Sequence, residues 1–315
     1  MGDVFRDVRF ALRSHNRDWR FALTAIFTLA LGIGASTVMF SVVYNLLVDP
    51  FPYKEFNRSV TFAIHETAHW NNYRQNFPIP QFIAFREQNQ AFEDMVGSYN
   101  WDVRYNDGTG TRQLTGAWMT TNGLQYYGVQ PLLGRGFVPD DGKPGAPPVF
   151  VINYRLWQSE FHDDPEVLGK SVVLNNKLRT LVGIMPSRFE AYFGASLYLP
   201  LSLSPGTDEA SFFGRPVSVF PMARLKPGVS LESAAAELQV IAQRDAKVEP
   251  KEYPARFSIG TERMLDYLFG KFKKTLYALL AAVFILLLIA CSNVANLLLA
   301  RATVREREIA IRASL

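Results

Sequence analysis

A set of residues that could bind a metal stands in the stretch AIHETAHWNN, which contains His65, Glu66 and His69. The pattern His-Glu-x-x-His is that of zinc peptidases, in which two histidines bind zinc and the glutamate activates a water molecule. That chemistry requires a helix, because a helix places residues i and i+4 on the same face. Here the alternating residues 60–64 instead predict a β-strand that runs directly into His65.

The rest of the chain offers few further zinc ligands of the histidine type. The chain has four histidines, and the other two are His15, in a basic segment, and His162, in the acidic loop FHDDPE. We therefore interpret residues 65–69 as a strand end and a surface loop, and predict no metal site. A membrane-anchored zinc metallopeptidase that uses this pattern is kept as the alternative hypothesis.

Other patterns with chemical potential are weak. Gly169-Lys170-Ser171 resembles the end of a phosphate-binding loop, but Asp164 stands where that loop requires glycine. Acidic pairs such as Asp140-Asp141 favour solvated turns, and the single cysteine, Cys291, excludes a disulfide within the chain. The sequence therefore predicts no catalytic or cofactor-binding residue here, and if the protein uses ATP, another polypeptide would bind it.

Two segments are too apolar for a soluble protein. No charged residue occurs from Phe21 to Val48 or from Thr275 to Ala300. Each stretch exceeds the roughly 20 residues that a helix needs to cross a bilayer. We predict a cytoplasmic amphipathic helix at 1–20, a first transmembrane helix at 21–45 and a large extracytoplasmic domain at 46–272. A second transmembrane helix at 273–300 and a cytoplasmic segment at 301–315 follow.

The distribution of charge predicts the orientation of these segments. Arginines precede the first helix and follow the second, and the positive-inside rule places such flanks in the cytoplasm. The stretch KFKK at 271–274, on the outer flank of the second helix, goes against this trend. Residues 45–270 hold 21 Lys and Arg against 24 Asp and Glu. Nucleic-acid binding, which needs a basic patch on a folded domain, is therefore not expected.

Strand and helix patterns alternate through the middle of the chain. Turns at 106–108 and 175–176 predict two β-hairpins, and Asn153 and Ser230 predict the N-caps of two helices. A further helix is predicted over 77–95. Because hairpins exclude an all-parallel sheet, the predicted fold class is an α+β membrane protein in which two transmembrane helices flank a mixed α/β extracytoplasmic domain.

Small and polar residues in the apolar segments predict contacts between helices. Gly32 and Ser36 are four residues apart, and Gly34 lies between them, which allows another helix to approach closely. Asn293 and Asn296 place amide groups in the second apolar segment. An amide without a partner in lipid costs several kcal/mol, so both side chains are expected to face other helices.

Four stretches together resemble a known family. They are FTLALGIGAST, GVQPLLGRGFVPDD, a segment from PPVFVINYRLWQSEF to DDPEVLGKSVVLNN, and CSNVANLLLARATVREREIAIRASL, at 27–37, 128–141, 147–176 and 291–315. The chain resembles the N-terminal part of a MacB/FtsX-type ABC transporter permease, and is similar to acidobacterial duplicated permeases. The resemblance implies a MacB-like periplasmic core domain and a multi-pass protein of the bacterial inner membrane.

The resemblance also implies partners. Family members carry two further membrane helices, so we expect a piece of a four- or eight-helix permease, working as a homodimer or as a pseudo-dimer within one longer chain. A separate ABC ATPase would dock on the segment after the second helix, at Arg305, Glu308, Ile309 and Arg312. Its ATP hydrolysis would move the periplasmic domain and export a substrate, with a possible periplasmic adaptor. A non-enzymatic membrane-tethered adaptor that acts without ATP is the other alternative.

Overall fold

The computed structural model describes residues 19–45, 53–106, 110–189, 194–204, 211–212 and 215–313. The chain forms two compact units. One is Phe51–Leu268, and the other combines Met1–Pro50 with Phe269–Leu315. The amphipathic helix predicted at 1–20 lies outside the described residues, except for its last two positions.

Helices occur in both units. The described α-helices are α1 Trp19–Val43, α2 Ile79–Gln88, α3 Gly123–Tyr126, α4 Tyr154–Phe161, α5 Leu231–Val248 and α6 Met264–Ala313. Among the described residues, two stretches are long and apolar enough to cross a membrane, Leu23–Val43 in α1 and Met264–Asn296 in α6. Helix α6 extends beyond the predicted segment 273–300 at both ends.

Strands occupy the unit at Phe51–Leu268. They are β1 Ser59–Glu66, β2 Tyr73–Arg74, β3 Phe77–Pro78, β4 Phe92–Asn106, β5 Thr111–Thr120, β6 Leu133–Gly134, β7 Val149–Ile152, β8 Ser171–Leu174, β9 Lys177–Ile184, β10 Leu197–Leu201, β11 Ser211–Phe212, β12 Arg215–Pro216, β13 Ser218–Leu225 and β14 Phe257–Arg263. Strands β11 and β12 pair with each other. The rest share one sheet with the order β14-β1-β13-β4-β5-β10-β7-β9-β6. Beside this path, β2 pairs with β1, β3 pairs with β13, and β8 pairs with both β4 and β9.

The sheet is mixed, as its hairpins required. Strand β10 runs parallel to β5, and β7 runs parallel to β9, whereas β4 and β5 form an antiparallel hairpin. Successive side chains of a strand point to opposite faces, so each strand supplies two cores. In β7, Val149 and Val151 join one buried cluster, and Phe150 and Ile152 join the other, which also holds side chains of α2 and α5. The predicted fold class is therefore confirmed.

Local signals in the sequence specify several of these elements. Asn175 and Asn176 adopt left-handed conformations, with φ of 50° and 63°, between β8 and β9. The Asn153 side chain accepts a hydrogen bond from the Leu156 N–H at 2.7 Å, and the Ser230 hydroxyl accepts one from Ser233 at 3.1 Å. These contacts satisfy N–H groups at the first turns of α4 and α5. The second hairpin turn and both caps were predicted correctly.

The helix predicted over 77–95 is wrong in its second half. Helix α2 ends at Gln88, and strand β4 begins at Phe92. Asn89 ends the helix, because its amide donates to the Phe85 carbonyl at 2.7 Å and its side-chain oxygen accepts from the Phe92 N–H at 3.1 Å. Such local side-chain bonds to the backbone compete with continued helix.

The outer edge of β14 is blocked by a side chain of α5. The Gln239 carbonyl oxygen accepts a hydrogen bond from the Ile259 N–H at 2.7 Å, and its amide donates to the Phe257 carbonyl at 3.4 Å. An unpaired strand edge is a template for unwanted pairing with other chains. This glutamine therefore protects the strand that leads into α6.

Candidate functional site

The imidazole of His65 is held inside a small aromatic cluster. His65 lies in β1, its Nδ1 is 3.0 Å from the Trp70 carbonyl oxygen, and its ring stacks on the Trp70 indole with centroids 4.1 Å apart. On the neighbouring strand, a Cβ built on Gly260 would lie only 2.7 Å from His65 Nε2. Both ring nitrogens are therefore engaged by, or packed against, the protein.

The other two residues of the pattern are arranged differently. Glu66 follows His65 in the same strand, so the two side chains point to opposite faces. Glu66 accepts a hydrogen bond from Asn72 at 2.8 Å, and the exposed His69 lies 4.0 Å from it. In the described part of the chain, no group of three His, Cys, Asp or Glu could hold a metal. The strand predicted to run into His65 is confirmed, and it does not provide the helix that the zinc-peptidase alternative requires.

The segment Gly169-Lys170-Ser171 is a connection into a strand. Ser171 begins β8, whereas a phosphate-binding loop would lead into a helix. Asp164 accepts from the Glu166 N–H at 2.8 Å, and Lys170 Nζ is 3.2 Å from its carboxylate. The Glu166 N–H and then the Lys170 ammonium hold the pKa of Asp164 below its usual value. These contacts of Asp164 stabilise the turn that the loop forms.

The acidic pair at 140–141 also has local partners. Lys143 lies 2.6 Å from Asp140 and keeps the pKa of that carboxyl low, while Arg135 contacts Asp141 at 2.7 Å. Asp141 also accepts from the Val138 N–H at 2.9 Å. Both carboxylates therefore act as turn and ion-pair groups, in agreement with the sequence interpretation.

Gly32 marks the close approach of the two apolar helices. A Cβ built on Gly32 would lie 3.2 Å from Leu287 Cδ1 and 3.4 Å from Ala290 Cβ. The Ser36 hydroxyl donates to the Gly32 carbonyl at 2.7 Å, which satisfies a polar group within α1 itself. A Cβ on Gly34, by contrast, would meet nothing within 4 Å. Of the two predicted glycines, Gly32 is therefore the one whose Cβ position is in contact with α6.

The amides of α6 do not take part in this contact. Asn293 and Asn296 are exposed, whereas the neighbouring Ala290 is buried against α1. In a bilayer an exposed amide must find a hydrogen-bond partner, because lipid tails offer none. The face of α6 that carries these two residues is therefore open to a further helix.

The four residues expected to dock on an ATPase lie in the last turns of α6. Their backbone is helical, since α6 continues to Ala313. The positions of Arg305, Glu308, Ile309 and Arg312 correspond to i, i+3, i+4 and i+7, which share one face of a helix. Their side chains lie outside the described part of the structure.

The strands next to the membrane segments are neighbours in the sheet. Strand β1 follows the first apolar segment, β14 precedes the second, and the two pair antiparallel from Val60–Arg263 to Glu66–Phe257. Helix α6 begins at Met264, directly after β14 ends at Arg263. The chain therefore enters and leaves the sheet at the same end of one ladder.

A buried cation fixes the residues that precede β1. Arg224 in β13 is 5% exposed and donates to the carbonyl of Lys54 at 3.2 Å and to that of Tyr126. Its guanidinium also lies 4.3 Å from the Tyr126 ring centroid. Sequence reasoning missed this residue, because its partners are backbone carbonyls from distant positions that no motif marks.

These features define a class of protein. Two apolar helices flank a mixed α/β domain, and that domain is attached to both through adjacent strands. The chain matches the family model described as the MacB-like periplasmic core domain over residues 22–241. The chain therefore belongs to the MacB-like periplasmic core domain family, and it is a membrane protein of the ABC transporter permease type.

The chain is similar to several solved structures, and the first of those described next supports the same fold. The periplasmic region of MacB from Actinobacillus actinomycetemcomitans is similar with a TM-score of 0.51 and 12% identity, over 72% of this chain and 97% of that one. A domain of a putative permease protein from Porphyromonas gingivalis matches with a TM-score of 0.49 and 18% identity, over 67% of this chain and 93% of that one. The extracellular domain of the noncanonic ABC-type transporter YknZ from Gram-positive bacteria matches with a TM-score of 0.46 and 11% identity, over 64% of this chain and 98% of that one. No curated protein matches this chain.

Proposed function

We propose that this chain is the permease subunit of an ATP-driven transporter of the MacB/FtsX type in the bacterial inner membrane. A separate ABC ATPase binds ATP and Mg²⁺ and docks on the end of α6 at Arg305, Glu308, Ile309 and Arg312. The family membership supports the transport role. The shared helix face of these four residues supports the location of the docking surface.

The β1–β14 ladder is the observation that carries the proposal. Because Val60 pairs with Arg263, the strands connected to both membrane segments belong to one hydrogen-bonded pair. Helix α6 then runs without a break from Met264 to Ala313. A displacement of the docking segment would therefore act on the sheet through a continuous helix, with no flexible loop between β14 and α6.

The exposed amides support an assembly with more helices. Asn293 and Asn296 would contact helices of a second copy, or of a further part of a longer chain, in a homodimer or pseudo-dimer. The substrate would be exported or extruded by movement of the periplasmic domain, with a periplasmic adaptor as a further partner. The described residues show no feature that selects one substrate class.

The test uses the complete protein assembled in lipid nanodiscs with candidate ABC ATPases. We expect one ATPase to bind and to be stimulated, and Arg305→Glu with Arg312→Glu to abolish the stimulation. The matched control is Arg188→Glu with Arg244→Glu, because both arginines are exposed in the α/β domain.

Two results would contradict the proposal. If no ATPase is bound or stimulated, the permease coupling is wrong. If the charge reversal at Arg305 and Arg312 leaves the stimulation of the ATPase intact, these residues do not form the docking surface.

A further inference from the structure

Two exposed aromatic rings, Trp70 and Tyr73, lie together beside the end of β1 and are called the aromatic platform below. Trp70 is 56% exposed and Tyr73 is 50% exposed, and their ring centroids lie 4.1 Å and 5.4 Å from that of the His65 imidazole. Trp70 stacks on His65 with an angle of 9° between the rings, so one face of the indole is covered and the other is open. Single exposed aromatic residues are common, whereas a group of them marks a binding surface.

The loop that presents the platform is held in one conformation by its own hydrogen bonds. The Glu66 N–H donates to the Asn72 carbonyl at 3.0 Å, and the Asn72 N–H donates to the His69 carbonyl at 2.7 Å. The Asn72 side chain donates to the Glu66 carboxylate at 2.8 Å. The Thr67 N–H donates to the Arg256 carbonyl at 3.0 Å, which ties the loop to the residues before β14. A surface that is already ordered loses less conformational entropy when it binds a ligand.

Polar groups without a partner surround the platform. In the described part of the chain, the indole N–H of Trp70, the side-chain amide of Asn71 and the hydroxyl of Tyr73 form no hydrogen bond. The side chains of Asn71 and Thr67 are exposed beside the rings. Together these groups can both donate to and accept from the hydroxyls of a ligand. The surface therefore combines flat apolar faces with hydrogen-bonding groups at their edges.

The size and place of the platform restrict what it can bind. An aromatic side chain has about 150–250 Å² of surface, so two half-exposed rings offer about 200 Å². A stable protein interface needs about 800 Å² on each partner. The platform lies at the Glu66–Phe257 end of the β1–β14 ladder, and the apolar helices are connected at the Val60–Arg263 end. A small ligand with a flat apolar face therefore fits better than a protein surface or a lipid.

Sugar rings have this combination of surfaces. The axial C–H groups of a β-linked pyranose form a flat apolar face that packs on an aromatic ring, and its hydroxyls lie around the edge. We propose that Trp70, Asn71 and Tyr73 form a binding site for β-1,4-linked glycan chains. Trp70 stacks on one sugar ring, Tyr73 contacts the next, and the amide of Asn71 bonds to a hydroxyl.

The spacing of the two rings agrees with this arrangement. The centroids of Trp70 and Tyr73 are at most 9.5 Å apart, because 4.1 Å and 5.4 Å separate them from the His65 ring. One disaccharide unit can therefore reach both rings. The site lies in the α/β domain and requires no ATPase, so it is independent of the proposed transport function.

The experiment measures oligosaccharide binding by the complete protein in neutral micelles, using isothermal titration calorimetry. The probes are cellotetraose and chitotetraose, which share the β-1,4 linkage and the flat ring face. Wild type should bind both at millimolar or lower concentrations. Trp70→Ala should weaken binding about tenfold, because it removes the main stacking contact. Tyr73→Ala should weaken it by a smaller factor.

Two substitutions separate stacking from general apolar contact. Trp70→Phe keeps an aromatic face and should recover most of the affinity, whereas Trp70→Leu should bind as weakly as Trp70→Ala. Trp101→Ala is the matched control, because Trp101 is 47% exposed on β4, outside the loop, and this variant should bind like wild type. Thermal melts followed by circular dichroism check that each variant is folded.

Three results would overturn the proposal. One is a wild-type protein that binds neither oligosaccharide. Another is a Trp70→Leu variant that binds as tightly as wild type, which would indicate an apolar partner instead. The third is an equal loss of affinity in Trp70→Ala and Trp101→Ala, since binding would then not be located at the platform.

Discussion

Replacement of Gly32 by leucine tests the contact between the two apolar helices. A Cβ at this position would already lie 3.2 Å from Leu287 Cδ1 and 3.4 Å from Ala290 Cβ. Alanine needs a shift of a few tenths of an ångström. The three further carbon atoms of leucine would point into the space that Leu287 and Ala290 occupy, so the helices must separate.

The expected effect follows from the cost of overpacking. Inserting extra carbon atoms into a packed contact costs about 1–3 kcal/mol, which corresponds to a factor of roughly 5–150 in the equilibrium between the packed and separated helices. Gly34→Leu is the matched control, since it makes the same change two positions away, where a Cβ would meet nothing within 4 Å. It should leave the equilibrium unchanged.

The assay follows the separation of the helices by energy transfer between two dyes. With Cys291→Ser as background, dyes on cysteines at Ser41 and Ala278 report on the two helices, because both positions are exposed. Sodium dodecyl sulfate is titrated into neutral micelles of the protein. The Gly32→Leu midpoint should fall well below those of wild type and Gly34→Leu. Equal midpoints for the two leucine variants would refute the packing argument.

Three further predictions concern the α/β domain. Arg224→Met removes the charged donor to the carbonyls of Lys54 and Tyr126. It should lower the free energy of unfolding by about 2–4 kcal/mol in urea denaturation, because two hydrogen bonds to a charged group are lost and the one to Tyr126 is buried. An unchanged midpoint would contradict this. Burial, and then the hydrogen bond to Asp245, raise the pKa of Tyr253, so its contribution is complete below the unfolded pKa of about 10 and is lost as the pH rises further. Thermal melts at pH 8 to 11 should show a steeper loss for wild type than for Tyr253→Phe, and parallel curves would count against it. Finally, His65→Ala should not change the zinc content measured by mass spectrometry, whereas loss of one zinc per chain would restore the peptidase hypothesis.

Sequence reasoning succeeded where the cause of a structure is local. The left-handed pair Asn175-Asn176 and the caps Asn153 and Ser230 each depend on residues within a few positions. The apolar segments of α1 and α6 were equally easy to predict, because a bilayer requires a long run of consecutive apolar residues. The MacB-like family was recognised from contiguous motifs for the same reason, and the family match confirms it.

The parts that the sequence did not predict depend on distant contacts. Strand β13 lies between β1 and β4, although it is far from both in sequence, and it contains Pro221, which disfavours a strand prediction. Arg224 of the same strand is buried and donates to backbone carbonyls. No pattern of side chains in the sequence indicates these partners. The Leu287–Gly32 contact likewise needs the pairing of α1 with α6, which small residues suggest without specifying the partner.

The contacts of Gly32 in α1 with Leu287 and Ala290 in α6, together with the β1–β14 ladder, impose one condition on the proposed coupling. Both connections leave the sheet at the Val60–Arg263 end of the ladder. If α1 and α6 moved apart, the two strands of this pair would be pulled in different directions. If they moved as a unit, all the paired positions would move together and the sheet would stay intact. In the proposed mechanism, Gly32 would have a role beyond stability: by keeping α6 against α1, it would let movement of the docking segment reach the α/β domain while the strand pair stays intact.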